Sequence, residues 1–177
     1  TPRPDAEQVL ATLNKLGYQT LLLTGDRDDV AATLSEHLHI DTFHAQLTPA
    51  DKAQLIEQLS TSKVMMVGDG INDAPALTTA QVGCTLAGST DIAVESADLI
   101  LTRPKLSSLP VALNLSRSCM RIIQQNLFWA FSYNLIALPL AASGQLAPVY
   151  GAAAMAVSSI CVVTNSLRLK RIKLNHA

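Results

Sequence analysis

The stretch Gly68–Leu77, with the sequence GDGINDAPAL, decides the fold, because it places two carboxylates four residues apart directly after a short apolar run. That run, Lys63–Val67 (KVMMV), is typical of a buried strand. Glycines let backbone approach an ion or a phosphate closely, and Asn72 and Pro75 suit the start of a helix. Mg²⁺ usually takes one or two carboxylates together with phosphate oxygens and waters. The stretch therefore predicts a strand end that carries a magnesium site.

Helix-compatible segments and short apolar runs alternate on both sides of this stretch. The predicted helices are Asp5–Leu16, Asp28–Leu38, Pro49–Leu59 and Asn72–Ala80, and the predicted strands are Gln19–Leu23, Thr42–Ala45, Lys63–Val67, Val82–Leu86 and Asp98–Thr102. This alternation predicts an α/β fold, a Rossmann-like parallel sheet with flanking helices. In such sheets ligands bind at the carboxyl ends of strands. A second acidic turn, Thr24-Gly25-Asp26, also follows a strand, so we expect both turns at that edge.

Charge divides the chain into two parts. All 14 acidic residues lie at or before Asp98, with only five Lys or Arg, whereas the remainder has eight basic residues and no acid. Between Arg121 and Arg168 no residue is charged and none is His. A membrane helix needs about 20 mostly apolar residues, so this window accommodates two. We expect two polypeptide environments, the second of them a membrane.

The predicted organisation follows from this division. We expect a cytoplasmic domain at residues 1–106, a stalk helix at 107–121, transmembrane helices at 122–142 and 148–166 joined by an extracytoplasmic turn at 143–147, and a basic cytoplasmic tail at 167–177. Basic residues flank the apolar pair on both sides, which indicates that both ends face the cytoplasm. A buried helical hairpin in a soluble protein is the alternative. The three cysteines form no C-x-x-C pattern, and we expect the chain to begin inside a longer protein.

Three motifs resemble those of one known family. Gly68–Leu77 matches, residue for residue, the hinge motif of P-type ATPases, which lies in their haloacid-dehalogenase-like phosphorylation domain. Thr24-Gly25-Asp26 resembles the second phosphate-site motif of that family, and Pro49-Ala50-Asp51-Lys52 resembles its lysine motif. The order and spacing agree, and the resemblance covers nearly the whole chain. It implies a C-terminal fragment of a heavy-metal P-type ATPase, with the second half of the phosphorylation domain and the last two transmembrane helices.

The resemblance implies roles in phosphoryl transfer. Asp69 would coordinate Mg²⁺, and Asp73 and Asn72 would organise that site by hydrogen bonds. Thr24 would donate its hydroxyl proton and Gly25 its backbone N–H to the phosphoryl group, while Asp26 would orient their loop. Lys52 would neutralise charge on the phosphorylated carboxylate, although by itself it would be interpreted as a solvated helix residue. Phosphoryl transfer depends mostly on such positioning and electrostatic stabilisation.

The motif of the phosphorylated aspartate, Asp-Lys-Thr-Gly-Thr, does not occur in this chain. The family's nucleotide-binding domain, which holds ATP, and its dephosphorylating Thr-Gly-Glu loop are not recognised in it either. We therefore expect the fragment alone neither to hydrolyse ATP nor to form an acylphosphate. The full-length parent would be an ATP-hydrolysing ion translocase.

Polar residues in the apolar window indicate the transported ion. Tyr133 and Asn134 precede Pro139, a helix-kinking position, and Met155 and Ser159 share one helix face because they are four apart. Polar groups within a bilayer are costly and often mark a transport path. The Tyr-Asn pair and the Met-x-x-x-Ser pair resemble those of Cu(I)-transporting ATPases, and a thioether suits Cu(I). Zn(II) is the alternative ion, but zinc-class pumps usually carry a charged residue in these helices.

The resemblance also implies partners and a location. The expected partners are Cu(I) as the exported ion, the rest of the same pump, membrane lipid and a copper chaperone; no nucleic acid is expected. The expected location is a bacterial inner membrane, and the short turn resembles pumps that supply cytochrome oxidase assembly. Two alternatives remain: a membrane-anchored haloacid-dehalogenase-like phosphatase and a non-catalytic truncated fragment.

Overall fold

Alternating helices and short parallel strands make up the first of two compact units, Thr1–Pro110 and Val111–Ala177. The computed structural model describes residues 2–59, 61–144 and 148–171. The first unit contains, in chain order, α1 Ala6–Lys15, β1 Leu21–Leu23, α2 Asp28–Leu38, β2 Thr42–His44, α3 Pro49–Gln58, β3 Met65–Val67, a 3-10 helix Ile71–Asp73, α4 Ala74–Thr79, β4 Val82–Leu86, α5 Asp91–Glu95 and β5 Leu99–Leu101.

Every strand pair in the described residues is parallel, which confirms the predicted fold class. Strand β1 pairs with β2, and β4 lies between β3 and β5. Cys84 at the centre of β4 is opposite Val67 on one side and Leu99 on the other. Hydrogen bonding therefore divides the strands into a two-stranded and a three-stranded sheet.

Strand β4 and α4 form the tightest part of the core. Leu77, Cys84 and Thr85 are fully buried, and a side chain at Gly83 would come within 2.6 Å of the Leu77 carbonyl oxygen. Burying a leucine side chain contributes about 1.5–3 kcal/mol. Burial also raises the pKa of the Cys84 thiol to about 11, so this cysteine stays protonated at neutral pH.

Two elements of the first unit differ from the sequence prediction. The expected helix Asn72–Ala80 is a 3-10 turn followed by α4, because Pro75 fits the first turn of an α-helix but not its interior. Helix α5 was not predicted. Its N-cap, Thr90, accepts a hydrogen bond from the Ala93 N–H at 3.4 Å.

The second unit contains two long helices, α6 Ser108–Ala142 and α7 Pro148–Leu167, followed by a 3-10 turn, Arg168–Arg171. Helix α6 is continuous through the predicted boundary between stalk and membrane span at residues 121 and 122. Residues 145–147 of the predicted turn and 172–177 of the predicted tail lie outside the described residues. The domain boundaries therefore stay a prediction.

One helical segment in the described part of the chain, Gly151–Lys170, is long and apolar enough to cross a membrane by length and composition. The first predicted span, 122–142, is not among the segments that meet this criterion of length and apolar composition. Gln124, Gln125, Asn126 and Asn134 make the first span more polar than the second. Both helices nevertheless expose large apolar side chains, such as Leu135 at 78% and Met155 at 66%.

Candidate functional site

Asp69 lies at the carboxyl end of β3 with its side chain 57% exposed. The Arg3 guanidinium donates a hydrogen bond from Nη2 to Asp69 Oδ2 at 2.7 Å and another from Nη1 to the Pro104 carbonyl oxygen at 3.5 Å. The Asp69 carbonyl oxygen accepts a bond from the Thr90 N–H at 3.3 Å. Asp69 is thus an accessible carboxylate whose backbone is fixed by the N-cap of α5.

Lys52 and Asp73 form a largely buried ion pair beside Asp69. Lys52 Nζ lies 2.9 Å from Asp73 Oδ1, and the two side chains are only 12% and 18% exposed. Lys52 is therefore not the solvated helix residue that would be expected from this lysine taken without its neighbouring motifs. The structure brings together the lysine and hinge motifs, which are 21 positions apart in sequence, and leaves their predicted chemical roles as predictions.

Lys52 is held by a well-capped helix. Thr48 at the N-cap of α3 accepts a hydrogen bond from the Asp51 N–H, while Asp51 Oδ2 accepts from the Thr48 hydroxyl at 2.6 Å and from its N–H at 2.9 Å. Hydrogen bonds from the Thr48 side chain and backbone lower the pKa of the Asp51 carboxyl. Such a capping box satisfies donors that the first helical turn leaves free, and it fixes the turn that carries Lys52.

Gly68 is needed for the close approach of Asp73. A Cβ atom at Gly68 would lie 2.7 Å from Asp73 Cβ and 2.9 Å from Asp73 Oδ2. The Gly68 carbonyl oxygen accepts a hydrogen bond from the buried Thr85 hydroxyl at 2.8 Å. The first glycine of the hinge motif therefore lets the second carboxylate fold back against the end of the strand.

The Thr24-Gly25-Asp26 turn follows β1. The Asp26 N–H donates to Thr24 Oγ1 at 3.1 Å, and the Thr24 hydroxyl lies 3.3 Å from Asp26 Oδ2. A Cβ atom at Gly25 would come within 3.3 Å of the Leu47 carbonyl oxygen. These contacts tie Asp26 to Thr24 within the turn, and the orienting role of Asp26 stays a prediction. Among the described residues, no hydrogen bond joins this turn to Asp69 or Asp73.

A cavity of about 320 Å³ lies between β1 and β3. Arg3, Asp69 and Asp73 supply its charged wall, and its other walls include apolar side chains of both sheets. The full lining is Arg3, Leu10, Thr20, Leu21, Leu22, Ile40, Val67, Gly68, Asp69, Asp73, Leu86 and Leu106. The carboxylates therefore face a space that other groups can enter.

The chemistry of these donors fits Mg²⁺. Asp69 offers hard, exposed carboxylate oxygens, and Mg²⁺ binds through one or two carboxylates while keeping several waters. The Asp73 side chain is only 18% exposed, whereas that of Asp69 is 57% exposed, so Asp69 is the carboxylate better placed to hold the ion. Asn72 is exposed in the 3-10 turn, and within the described residues its side chain has no hydrogen bond. Its predicted organising role stays a prediction.

The predicted transport residues lie on α6 and α7. The Asn134 side chain donates to the Ala130 carbonyl oxygen at 3.0 Å, and the Ser159 hydroxyl donates to the Met155 carbonyl oxygen at 3.0 Å. The Met155 side chain is 66% exposed. Tyr133 belongs to α6, but its side chain lies outside the described part of the structure. Within the described residues, no group of three His, Cys, Asp or Glu could hold a metal ion.

Two sets of residues were missed from the sequence. Arg3 pairs with a carboxylate 66 positions away, and no local spacing signals such a contact. Polar side chains also join α6 to α7: Asn165 Nδ2 donates to Asn126 Oδ1 at 2.9 Å, and Asn126 Nδ2 donates to Ser166 Oγ at 2.9 Å. The run Gln124–Asn126 inside an apolar stretch was the available signal.

Known proteins similar to this chain fall into a consistent group. The family model for haloacid dehalogenase-like hydrolases matches residues 1–81. A copper-exporting P-type ATPase from Staphylococcus haemolyticus is 44% identical over 176 residues, which cover 98% of this chain and 22% of that protein. One from Staphylococcus aureus strain JH9 is 43% identical with the same coverage. This chain thus spans about a fifth of the length of these relatives.

Solved structures match this chain over different lengths. The crystal structure of a zinc-transporting PIB-type ATPase in the E2.Pi state matches with a TM-score of 0.90 and 35% identity, covering 96% of this chain and 28% of that one. The catalytic domain of the CPx-ATPase CopB-B matches with a TM-score of 0.57 and 37% identity over 62% of this chain and 44% of that one. The sequence relatives are thus named for copper, whereas the structural relative that covers most of this chain is named for zinc.

Proposed function

Because the chain belongs to the heavy-metal P-type ATPase family, we propose that it is the C-terminal part of a pump that exports Cu(I) from the cytoplasm at the expense of ATP. The observation that carries the proposal is the Lys52–Asp73 ion pair beside the exposed carboxylate of Asp69. This is the constellation that phosphoryl transfer requires at a strand end. The phosphorylated aspartate and the nucleotide-binding domain would belong to the part of the pump outside this chain.

The residues of this chain would divide the work of phosphoryl transfer. Asp69 would hold Mg²⁺, which supplies positive charge to the phosphoryl oxygens. Lys52 would offset the charge of the phosphorylated carboxylate, and Asp73 holds its ammonium group at a fixed position. The Thr24 hydroxyl and the Gly25 N–H would bind the phosphoryl oxygens. Preorganised groups of this kind are more effective in a site with little water than in bulk solution.

Arg3 would respond to the binding of Mg²⁺. Its guanidinium contacts Asp69 Oδ2, one of the two carboxylate oxygens that Asp69 could offer to a metal ion. A cation and a guanidinium 2.7 Å from one oxygen repel each other. Asp69 would therefore hold the ion best with Arg3 released from its carboxylate.

Cu(I) is favoured over Zn(II) by the chemistry of the second unit. The soft thioether of Met155 suits Cu(I), and no acidic or basic residue lies between Arg121 and Arg168. The copper-exporting relatives are also more similar in sequence to this chain than the zinc-transporting structure, at 44% against 35% identity. Zn(II) remains the second candidate because that structure has the higher structural similarity.

The test is phosphorylation of the full-length pump by radiolabelled ATP in membranes. We expect a hydroxylamine-sensitive label that Asp69→Asn removes. The matched control is Asp29→Asn, since Asp29 is an exposed carboxylate 3.4 Å from Arg27, and it should retain the label. An unlabelled parent would favour the phosphatase or the inert fragment, and equal labelling of the two variants would contradict the role of Asp69.

A further inference from the structure

Four polar side chains, Gln125, Asn126, Asn165 and Ser166, link α6 to α7, and we call them the amide clamp. Asn165 Nδ2 donates to Gln125 Oε1 at 3.2 Å and to Asn126 Oδ1 at 2.9 Å, and Asn126 Nδ2 donates to Ser166 Oγ at 2.9 Å. Arg168 Nη1 donates to Asn165 Oδ1 at 3.1 Å. All four clamp residues are half-buried, on helices whose large apolar side chains are mostly exposed.

The amide clamp fixes how far the two helices slide along each other. Its bonds join 125 to 165, 126 to 165 and 126 to 166. Helix α6 ends at residue 142 and α7 begins at residue 148, so the two helices run antiparallel and the clamp lies at the ends far from their connection. A slip of one turn would separate all three pairs. Amides without partners are costly in apolar surroundings, whereas contacts between apolar side chains are non-directional and distinguish less between registers. The clamp therefore favours one register over its neighbours.

The register determines how far along the helix pair each predicted transport residue lies from the clamp, which we call its level. An α-helix rises about 1.5 Å per residue. Asn134 is eight residues beyond Asn126, so it lies about 12 Å along the pair from the clamp. Counting back from Asn165, Ser159 lies at about 9 Å and Met155 at about 15 Å. The three side chains therefore begin within about 6 Å of the same level.

The register also determines the side on which they project. Successive residues are rotated by about 100° around a helix axis. The clamp residues mark the face of each helix that is turned to the other helix. Counted from that face, the rotation places Asn134 on α6 on one side of the helix pair. It places Met155 and Ser159 on α7 on the same side. Val157 is carried to the opposite side. Asn134 and Met155 are both exposed there.

We propose that the amide clamp, with Asn165 at its centre, is the positioning device that aligns Asn134, Met155 and Ser159 into one half of the transported-metal site. The clamp does not touch the metal, because it lies about 9–15 Å from those residues. It acts by holding two helices in the one register that brings soft and polar donors to a common level and side. The proposal rests on the proposed transport function, and its test separates the two.

The first measurement is disulfide formation in the 177-residue chain in lipid vesicles, with Cys119 and Cys161 replaced by serine. The register places position 129 opposite 162, so the pair Trp129→Cys and Val162→Cys should form a disulfide on oxidation with iodine. The pair Trp129→Cys and Ser158→Cys is one turn out of register and should not. Asn165→Leu should lower the ratio of the 129–162 disulfide to the 129–158 disulfide about tenfold, because the two hydrogen bonds that Asn165 donates to α6 are lost.

Two further variants keep this test decisive. Thr164→Leu is the matched control, since Thr164 is an exposed neighbour on α7, and it should leave the ratio unchanged. Ser166→Ala removes one bond and should lower the ratio less, which covers the case in which Asn165→Leu does not fold. An unchanged ratio in both Asn165→Leu and Ser166→Ala would overturn the proposal.

The second measurement is metal-stimulated phosphorylation of the full-length pump. Asn165→Leu should raise the Cu(I) concentration for half-maximal labelling about tenfold, while labelling at saturating Cu(I) stays within about twofold of the parent. A loss of maximal labelling without a change in that concentration would indicate a merely structural role and contradict the proposal. If only Zn(II) stimulates the parent, the ion assignment fails, and the same shift measured with Zn(II) still decides the role of the clamp.

Discussion

At Gly68 the space that a side chain would need is occupied by Asp73. The Cβ and Oδ2 atoms of Asp73 lie within 3 Å of the position of a Gly68 Cβ. By contrast, a Cβ at Gly70 would meet its nearest neighbours, the Asn72 nitrogen and Asp73 Oδ2, at 4.0 Å. The two glycines of one short motif are therefore unequal, and only the first is required by packing.

We predict that Gly68→Ala destabilises the first unit by about 1–3 kcal/mol, because Asp73 must move and an overpacked core resists that shift. It should also lower phosphorylation of the full-length pump, since Asp73 holds Lys52. The free energy of unfolding in urea measures the first effect. Gly70→Ala is the control and should be nearly neutral; equal effects of the two substitutions would contradict the packing account.

The Lys52–Asp73 pair gives a second prediction at this scale. Lys52→Met leaves a largely buried carboxylate without its ammonium partner, and we expect a loss of about 2 kcal/mol in unfolding free energy. Adding Asp73→Asn should recover part of that loss, because the remaining side chain is then neutral. Lys63→Met, at an exposed position, is the control. Strictly additive effects of the two substitutions would show that the pair is not coupled.

The sequence predicted the residues of this site better than their contacts. The hinge and lysine motifs identified Lys52, Asp69 and Asp73, because their order and spacing are set by chemistry. Arg3 was missed because a salt bridge across 66 positions depends on the folded chain and has no local pattern. The amide clamp was missed for the same reason, since its hydrogen bonds span 39 or 40 positions.

Among the elements, α3 begins with a well-capped first turn. The Thr48–Asp51 capping box is complete, with a proline after the cap. The pKa of Asp51 is lowered by its hydrogen bonds to Thr48. A carboxyl whose pKa is lowered in the folded state stabilises that state above its ordinary pKa, here 3.8, and this stabilisation is lost as the pH falls through the folded value.

Thr48→Ala should lower the unfolding free energy by about 1 kcal/mol at neutral pH. The difference from the parent should begin to shrink as the pH falls below the ordinary carboxyl pKa of 3.8 and should continue to shrink through the lowered pKa of Asp51 in the folded parent. Urea unfolding at pH 7 and pH 3 measures it. Thr33→Ala, at an exposed position inside α2, should have little effect at either pH, and a pH-independent loss for Thr48→Ala would exclude the linkage to Asp51.

Element boundaries were harder to predict than the order of elements. Periodicity identified four helices and five strands of the first unit, but α5 is only five residues long, and such a segment shows little helical periodicity. The predicted boundary between stalk and membrane span in α6 leaves no mark on the backbone. Helical hydrogen bonding continues unbroken from one segment to the next, even where the surroundings of the helix change.

For the whole molecule, the two units differ in what their surfaces face. The acidic first unit buries a small apolar core around Leu77 and Cys84. The second unit leaves Phe131, Leu135 and Ile160 mostly exposed. Apolar patches of that kind mark a membrane or a partner surface, which agrees with the proposed membrane hairpin.

We predict that both long helices cross the bilayer, so that the turn after α6 faces outward. Ser143→Cys, with the native Cys119 and Cys161 replaced by serine, should react with a membrane-impermeant maleimide added to intact cells. Ser62→Cys, in the first unit, should react only in inverted vesicles. Labelling of position 143 from the cytoplasmic side alone would mean that α6 does not span the membrane, as a soluble or peripheral hairpin would require.

The most direct test of the account is the metal dependence of phosphorylation in the full-length pump, because it requires both units to act on one reaction. Cu(I), Ag(I) and Zn(II) would be added separately to the parent, to Met155→Ala and to the control Val157→Ala, which lies on the opposite side of α7. We predict labelling stimulated by Cu(I) and Ag(I), weakened in Met155→Ala and unchanged in Val157→Ala. Stimulation by Zn(II) alone, or equal behaviour of the two variants, would contradict the proposed Cu(I) site.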